Sequence, residues 1–125
     1  MSTLTETARQ IKLVIFDIDG VLTDGSLFIG DDGQEYKAFN SRDGHGIRML
    51  LDCGVGSAII TGRKSQVVLH RAQDLGIEHV LQGFRDKRPA FQQLLKTTGL
   101  APHQVAYVGD DVVDLPVMSQ VGLAI

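Results

Sequence analysis

The sequence has 125 residues, 43% of them hydrophobic, with a formal net charge of -3 and one cysteine. This length suits one domain with a single core, and the slight acidic excess argues against a nucleic-acid or membrane-surface binder. One cysteine excludes an intrachain disulfide, and no apolar run approaches the roughly 18 residues of a membrane span. With no secretion signal, we expect a cytoplasmic protein in which Cys53 is a reduced core residue.

The first half of the chain predicts a buried strand, a hairpin and a helix. Residues 1–10 are polar, and the unbroken apolar run LVIF at 13–16 is typical of a strand buried on both faces of a sheet. Two strand-like runs on either side of GDDG at 30–33 predict a β-hairpin. Apolar residues at helical spacing, Ile47, Leu50 and Leu51, predict a helix that stops at Gly54.

The second half alternates strands and helices. SAIIT at 57–61, HVLQ at 79–82 and VAYV at 105–108 predict strands, and GLAI at 122–125 is a last apolar run. Helices are predicted over KSQVVLHRAQDL, PAFQQLLKTT and DLPVMSQ, the first two ended by Gly76 and Gly99. Such alternation gives βαβ units with right-handed crossovers. We therefore predict one α/β domain over 11–125, with a Rossmann-like, three-layer parallel sheet.

Polar residues follow three of the predicted strands. Asp17 and Asp19 follow the first, TGR at 61–63 the second, and GDDVVD at 109–114 a later one. The carboxyl ends of parallel strands share one edge, where open α/β sheets bind ligands. Crowded carboxylates repel unless a cation neutralises them, and oxygen-only ligands suit Mg²⁺. We expect a magnesium site among Asp17, Asp19, Asp110, Asp111 and Asp114.

The same strand ends offer the groups that phosphoryl transfer needs: a nucleophile, a general acid and positive charge. Asp17, held by its strand, can attack phosphorus, and Asp19, on the loop, can reach the leaving group. Thr61 and the amides around Gly62 would bind the phosphoryl oxygens, and Lys87 would add a point charge.

Four motifs carry a family resemblance. DIDGVLTDG, TGR, DK and GDDVVD, in this order, resemble the motifs of the haloacid dehalogenase-like (HAD-like) phosphatase superfamily. FNSRDGHGIRML, IITGRK and AYVGDDVVDLPVM resemble the 3-deoxy-D-manno-octulosonate 8-phosphate phosphatases of Gram-negative lipopolysaccharide synthesis. The resemblance extends from residue 11 to residue 125. It implies a Mg²⁺-dependent phosphatase that releases the sugar acid and phosphate through an aspartyl-phosphate.

The resemblance also implies roles for single residues. Asp17 would be the nucleophile and a Mg²⁺ ligand, Asp19 the acid/base and a ligand through its backbone carbonyl, and Asp110 the third protein ligand. Asp111 and Asp114 are expected to orient the metal's waters or Lys87. A substrate loop over 40–44 would be joined by arginines, of which Arg63 and Arg71, about two helical turns apart, should share a face. The implied substrate-binding residues are Asp19, Asn40, Ser41, Arg42, Asp43, Gly44, Arg48, Arg63, Arg71 and Lys87.

The intervals between the motifs are too short for the cap domain that many relatives insert. A site without a cap needs another lid to exclude water, so we expect only a small β-hairpin flap and a homo-oligomer, which in the resembling family is a tetramer. Leu27, Ile29, Tyr36 and Phe39 are the candidate interface residues, unless they pack on their own sheet. The family continues beyond GLAI with a glycine-rich tail that reaches an adjoining site, which leaves the protection of the sheet edge open.

Other functions compete with this one. The substrate could be another sugar-acid phosphate, such as a nonulosonate 9-phosphate, or the chain could be a catalytically idle oligomerisation module. A signalling receiver domain has a similar size and a similar Asp, Thr, Lys set. In a receiver the acidic pair lies on the first strand and the phosphoacceptor precedes Thr and Lys, whereas here Thr61 and Lys87 precede GDDVVD. The four histidines, 45, 70, 79 and 103, lack metal-ligand spacing and are expected to be structural or at the surface.

Overall fold

A five-stranded parallel sheet forms the centre of the protein, which we describe from a computed structural model over residues 3–125. The strands are β1 (Leu13–Phe16), β2 (Phe28–Ile29), β3 (Glu35–Tyr36), β4 (Gly56–Thr61), β5 (His79–Gln82), β6 (Val105–Val108) and β7 (Leu123–Ala124). The strand order of the sheet is β5-β4-β1-β6-β7, and every neighbouring pair is parallel. The separate antiparallel hairpin pairs Phe28 with Tyr36. The predicted parallel sheet and hairpin are therefore confirmed.

Helices cover both faces of the sheet, which confirms the three-layer α/β prediction. On one face Ile47, Val68 and Leu75 pack with Ile59 of β4. On the other, Phe91, Leu94 and Val117 pack with inward-facing residues of β1, β4 and β6. Burial of these side chains is the main stabilising contribution to the fold. The helices are α1 (Leu4–Arg9), α2 (Ser41–Asp52), α3 (Gln66–Leu75), α4 (Arg88–Thr98) and α5 (Leu115–Met118).

The substrate loop expected over residues 40–44 is instead the start of α2. Asn40 is the N-cap, and its side-chain oxygen accepts a hydrogen bond from the backbone N–H of Arg42 at 2.8 Å. Gly44 is buried within the first turns, and a Cβ there would meet the side chains of Arg71 and Leu75. A cap at Asn40 and close packing at Gly44 therefore outweigh the poor helix propensity of glycine.

Cys53 is exposed, so the prediction of a core cysteine is wrong. It is the C-cap of α2, six residues after the buried Ile47. At about 100° per residue this places Cys53 well away from the buried face of the helix. Leu51, expected on the buried face with Ile47, is 40% exposed.

Two further elements differ from the expectations. Residues 4–9 form α1, which was not predicted and whose start is a capping box between Thr3 and Glu6. The helix expected over 114–120 is only Leu115–Met118, because residues 112–114 form a separate 3-10 turn. Within residues 3–125, none of the helices combines the length and apolar character needed to cross a bilayer.

The hairpin exposes several large apolar side chains. Leu27, Ile29 and Tyr36 are 39%, 67% and 50% exposed. Phe39 differs from them, because it packs against the cluster between α2, α3 and the sheet. The alternative of packing on the chain's own core therefore holds for Phe39. Between β1 and α2 the structure has only this hairpin and its connections, as the prediction of a flap without a cap requires.

Candidate active site

Carboxylates from two neighbouring strands meet at the carboxyl edge of the sheet. Asp17 directly follows β1, and Asp110 and Asp114 follow β6, which pairs with β1. Oxygen atoms of these three side chains lie within 4.8 Å of one another. Three of the five expected carboxylates therefore lie together at this edge. Asp19 and Asp111 are the two that have other partners.

Asp17 is buried, with one carboxylate oxygen held and the other open. Its Oδ1 accepts a hydrogen bond from the N–H of Ile18 at 2.8 Å and lies 3.2 Å from Nζ of Lys87. Among residues 3–125, no donor is hydrogen-bonded to its Oδ2. Burial raises the pKa of the Asp17 carboxyl, and the charge of Lys87 and the Ile18 N–H only partly oppose this shift. An open oxygen on a fixed carboxylate is what a nucleophile at this position needs.

Lys87 is the buried cation of the site. It is the N-cap residue of α4, 3% exposed, and its Nζ lies 2.5 Å from Oδ1 of Asp114. Its position between Asp17 and Asp114 gives a buried ammonium two carboxylate partners. Lys87 therefore places a fixed positive charge beside the Asp17 carboxylate.

Asp114 is fully buried and is held by four donors. Lys87 and the Tyr107 hydroxyl, at 2.6 Å, donate to Oδ1, and the N–H groups of Asp110 and Asp111 donate to Oδ2, both at 3.2 Å. Burial alone would raise the pKa of Asp114, but the hydrogen bonds from Lys87 and Tyr107 lower it overall. Burial and the same carboxylate raise the pKa of the Tyr107 phenol. The arrangement supports the expectation that Asp114 orients Lys87.

Sequence reasoning missed Tyr107. Its place in the apolar run VAYV marks it as a buried strand residue, and an apolar partner is the ordinary expectation for such a position. Only the return of the chain after β6 brings Asp114 to its hydroxyl.

Asp19 is not one of the clustered carboxylates, and its side chain pairs with the hairpin instead. Its Oδ1 lies 2.6 Å from Nζ of Lys37, whose side chain is 1% exposed. Glu35 of β3 lies 3.6 Å from the same ammonium and 3.2 Å from the guanidinium of Arg63. A chain of ion pairs thus joins the loop after β1, the hairpin and the loop after β4. Lys37 was not predicted, since nothing in EYKAF distinguishes it from a surface lysine.

Asp111 lies outside the cluster, contrary to the expectation that all five carboxylates crowd together. It is exposed, and its side chain caps the 3-10 turn at 112–114 by accepting a hydrogen bond from the N–H of Val112 at 2.6 Å. This capping function explains an acidic residue at the position without any metal.

Gly20, the last residue of DIDG, lies directly against Asp110. Its φ is +86°, a left-handed conformation, and a Cβ on it would collide with the Asp110 carboxylate. Glycine at this position therefore lets Asp110 approach the loop that carries Asp17 and Asp19.

The predicted arginines occupy three different places. Arg63 lies in the loop before α3, so it shares no helical face with Arg71, and that expectation is wrong. Arg71 lies 5.9 Å from the Phe39 ring centroid and beside Gly44, and its buried Nε has no partner within residues 3–125. Arg48 lies beside Gly76, which follows the C-terminal end of α3 and is remote from the carboxyl edge. Of these three arginines, Arg63 lies near the hairpin and Arg71 near the start of α2, whereas Arg48 lies near neither.

The remaining predicted residues surround the same edge. Thr61 is buried as the last residue of β4, which brings its side chain to the edge that carries Asp17. The first residues of α2 and its cap are exposed, namely Asn40, Ser41, Arg42 and Asp43. A cleft of about 610 Å³ lies between the hairpin and the start of α3, and Glu35, Tyr36, Arg63 and His70 help to line it.

The donor set fits a magnesium ion. The clustered side chains of Asp17, Asp110 and Asp114 offer only carboxylate oxygens, the ligand type that Mg²⁺ prefers. Lys87 supplies one positive charge to three acidic groups, which leaves the cluster short of positive charge. Because Asp114 already accepts four hydrogen bonds, Asp17 and Asp110 are the better direct ligands.

Comparison with known proteins agrees with this geometry, although no protein-family model matches the chain. The chain is 50% identical over 120 residues to the 3-deoxy-D-manno-octulosonate 8-phosphate phosphatase KdsC of Yersinia pestis, which covers 96% of this chain and 64% of that protein. The chain thus spans slightly less than two thirds of the length of this curated relative.

Two solved structures superpose closely. A HAD superfamily (subfamily III A) hydrolase from Legionella pneumophila matches with a TM-score of 0.93 and 49% identity, over 97% of this chain and 68% of that one. The 3-deoxy-D-manno-octulosonate 8-phosphate phosphatase of Moraxella catarrhalis, in complex with magnesium ion, phosphate ion and KDO, matches with a TM-score of 0.90 and 43% identity, over 93% of this chain and 67% of that one.

The parallel sheet with acidic strand ends is thus that of a HAD-superfamily hydrolase. Within that class, identity of this extent is decisive. The chain belongs to the 3-deoxy-D-manno-octulosonate 8-phosphate phosphatase family.

Proposed function

We propose that residues 11–125 form the active domain of a magnesium-dependent phosphatase that converts 3-deoxy-D-manno-octulosonate 8-phosphate to 3-deoxy-D-manno-octulosonate and phosphate, a step of lipopolysaccharide synthesis. The observation that carries the proposal is the buried Asp17, whose carboxylate lies beside the buried Lys87 within the acidic cluster and keeps one oxygen free of hydrogen bonds among residues 3–125. The Moraxella catarrhalis relative, whose structure contains magnesium, phosphate and KDO, supports the same substrate and metal.

Asp17 is the nucleophile in this proposal. Its open oxygen attacks phosphorus, the bond from phosphorus to the sugar oxygen breaks, and an aspartyl-phosphate forms on Asp17. Asp19 donates a proton to the departing sugar oxygen, and it then accepts a proton from the water that hydrolyses the aspartyl-phosphate. Lys87, Thr61 and the amides near Gly62 hold the phosphoryl oxygens. Magnesium bound by Asp17, Asp110 and the Asp19 backbone carbonyl would supply further positive charge to the phosphoryl group.

The sugar acid would extend from Asp19 toward the hairpin and the start of α2. Arg63 lines the cleft beside the hairpin, and Arg71, with its unpartnered Nε, lies beside Gly44. Guanidinium groups suit a carboxylate because they donate two parallel hydrogen bonds. We propose that these two arginines bind the acid end, with polar contacts from Asn40, Ser41, Arg42 and Asp43, and without Arg48.

The substrate and metal can be tested directly. With Mg²⁺, the chain should release phosphate from 3-deoxy-D-manno-octulosonate 8-phosphate at least about 10-fold faster than from aldose phosphates of similar size, because only the keto-acid presents a carboxylate to the arginines. Phosphate release is measured across a panel that includes a nonulosonate 9-phosphate, with and without EDTA and excess Mg²⁺. Equal rates on aldose phosphates would refute the substrate, and full activity in EDTA would refute the metal.

We also propose a cytoplasmic homotetramer in which the hairpin covers a neighbouring site. The exposed side chains of Leu27, Ile29 and Tyr36 support an interface, since burial of such surface stabilises association. Ile29→Asp should shift the sedimentation coefficient from that of a tetramer to that of a monomer. The matched control is Leu69→Asp, an exposed leucine on α3 away from the hairpin strands. A monomeric unsubstituted protein, or an Ile29→Asp tetramer, would contradict the proposal.

A further inference from the structure

Among residues 3–125, Lys37 is the lysine whose side chain is buried but which has no role in the proposed mechanism. Its side chain is 1% exposed, although lysine loses much solvation free energy on burial. The hairpin has two strands of two residues each, and its apolar side chains are exposed. Burial of the Lys37 side chain on this hairpin therefore contributes little to the hydrophobic core. The placement of this lysine is better explained by what its ammonium contacts.

The ammonium contacts Asp19 more closely than it contacts any other carboxylate. The distance from Nζ to Asp19 Oδ1 is 2.6 Å, against 3.6 Å to Glu35 Oε1. This contact also satisfies the geometry of a charge-assisted hydrogen bond. Asp19 has no other side-chain partner among residues 3–125, and it stands on a loop rather than within β1. Lys37 is thus the contact that determines where the Asp19 carboxylate points.

We infer that Lys37 is a positioning residue that holds Oδ1 of Asp19 and leaves Oδ2 as the oxygen that transfers protons. The inference rests on the proposed function, in which Asp19 serves first as acid and then as base. Glu35 of the hairpin contacts both Lys37 and Arg63, which extends the ion-pair chain to the loop after β4. Glu35 therefore helps to hold the Lys37 ammonium in place. In this inference the hairpin supplies Lys37, the group that orients the Asp19 carboxylate.

The leaving group separates a positioning role from a general structural one. A sugar alkoxide must be protonated as it departs, whereas p-nitrophenolate leaves without a proton. In Lys37→Met, turnover of 3-deoxy-D-manno-octulosonate 8-phosphate should fall about 100-fold at little change in KM. With p-nitrophenyl phosphate, the first release of p-nitrophenolate should keep its rate within about 3-fold, and the following steady state should slow, because the base step needs Asp19 as well.

Controls connect this loss to the contact with Asp19. Lys37→Arg keeps a cation at the site, and its turnover should be at least about 10-fold higher than that of Lys37→Met. Lys96→Met, on the exposed face of α4, should match the unsubstituted protein. A uniform loss on both substrates and in both kinetic phases, or unchanged turnover in Lys37→Met, would overturn the inference.

A second measurement does not depend on turnover. If Lys37 and Asp19 are paired in solution, Lys37→Met should lower Tm more in the unsubstituted protein than in an Asp19→Asn background. Additive shifts of Tm would overturn the inference. Failure of the unsubstituted protein to hydrolyse either substrate would instead refute the proposed function, and the Tm cycle would still report on the pair.

Discussion

Replacement of Asp17 by asparagine is expected to lower phosphate release by at least about 10⁴-fold, because an amide cannot form the phosphoenzyme that the mechanism requires. The fold should survive the change. Asparagine has nearly the same shape and keeps an acceptor for the Ile18 N–H. Since burial raises the pKa of Asp17, its ionised form is disfavoured in the folded state, and a neutral side chain costs little stability. Phosphate release and thermal unfolding are measured on the same preparation.

Asp52→Asn is the matched control, since it removes one carboxylate from the exposed end of α2. It should retain the unsubstituted rate. The native protein is incubated with radioactive substrate and is then denatured. A base-labile phosphoprotein should be found with the unsubstituted chain and none with Asp17→Asn. Residual turnover within 10-fold of the unsubstituted rate, or an equal yield of labelled protein, would refute the covalent mechanism.

Removal of Asp114 is expected to give the largest loss of stability. Asp114→Ala leaves the ammonium of Lys87 and the hydroxyl of Tyr107 buried with fewer partners, which should lower the free energy of unfolding by about 3 to 5 kcal/mol. Urea denaturation at pH 7 measures the difference. Because the pKa of Asp114 lies below its ordinary value, its stabilising effect is full above about pH 4 and declines as the pH falls through the native pKa.

Substitutions of neighbouring residues show how much each contact of Asp114 contributes to stability. Tyr107→Phe removes one hydrogen bond to the same carboxylate and should cost about 2 kcal/mol. Asp111→Ala, the matched control in the same motif, removes only a cap of a short turn and should cost about 1 kcal/mol. Lys87→Met should recover part of the stability lost in Asp114→Ala, since it removes the buried ammonium that has lost its closest partner. Equal losses for Asp111 and Asp114 would contradict the importance of the buried network.

The fold was predictable because its signals are local. LVIF, SAIIT and VAYV lack polar alternation, and Gly76 and Gly99 end α3 and α4 in left-handed conformations with φ of 75° and 71°. Parallel topology then brings the residues after β1 and β6 to one edge. For this reason the meeting of Asp17 with Asp110 and Asp114 followed from the sequence.

The misassigned loop and the missed contacts of Lys37 and Tyr107 have a common cause, which is tertiary contact. Asn40 to Gly44 were expected in a loop, yet the cap at Asn40 and the packing of Arg71 and Leu75 on Gly44 make them helical. The contact between Lys37 and Asp19 depends on how the hairpin folds back over the edge, which no periodicity encodes. Tyr107 gains its polar partner in the same way. The identity of the metal ligands and of the substrate-binding residues stays a prediction.

The central position of β1 between β4 and β6 also determines when the candidate site is assembled during synthesis. On the ribosome, β1 and β4 emerge long before β6, which begins at Val105. Until that late segment docks, Asp110 and Asp114 are missing from the edge and Lys87 lacks its closest counter-charge. Under the proposed mechanism, a nascent chain would therefore carry Asp17 without its partner carboxylates until the segment that contains β6 has been translated.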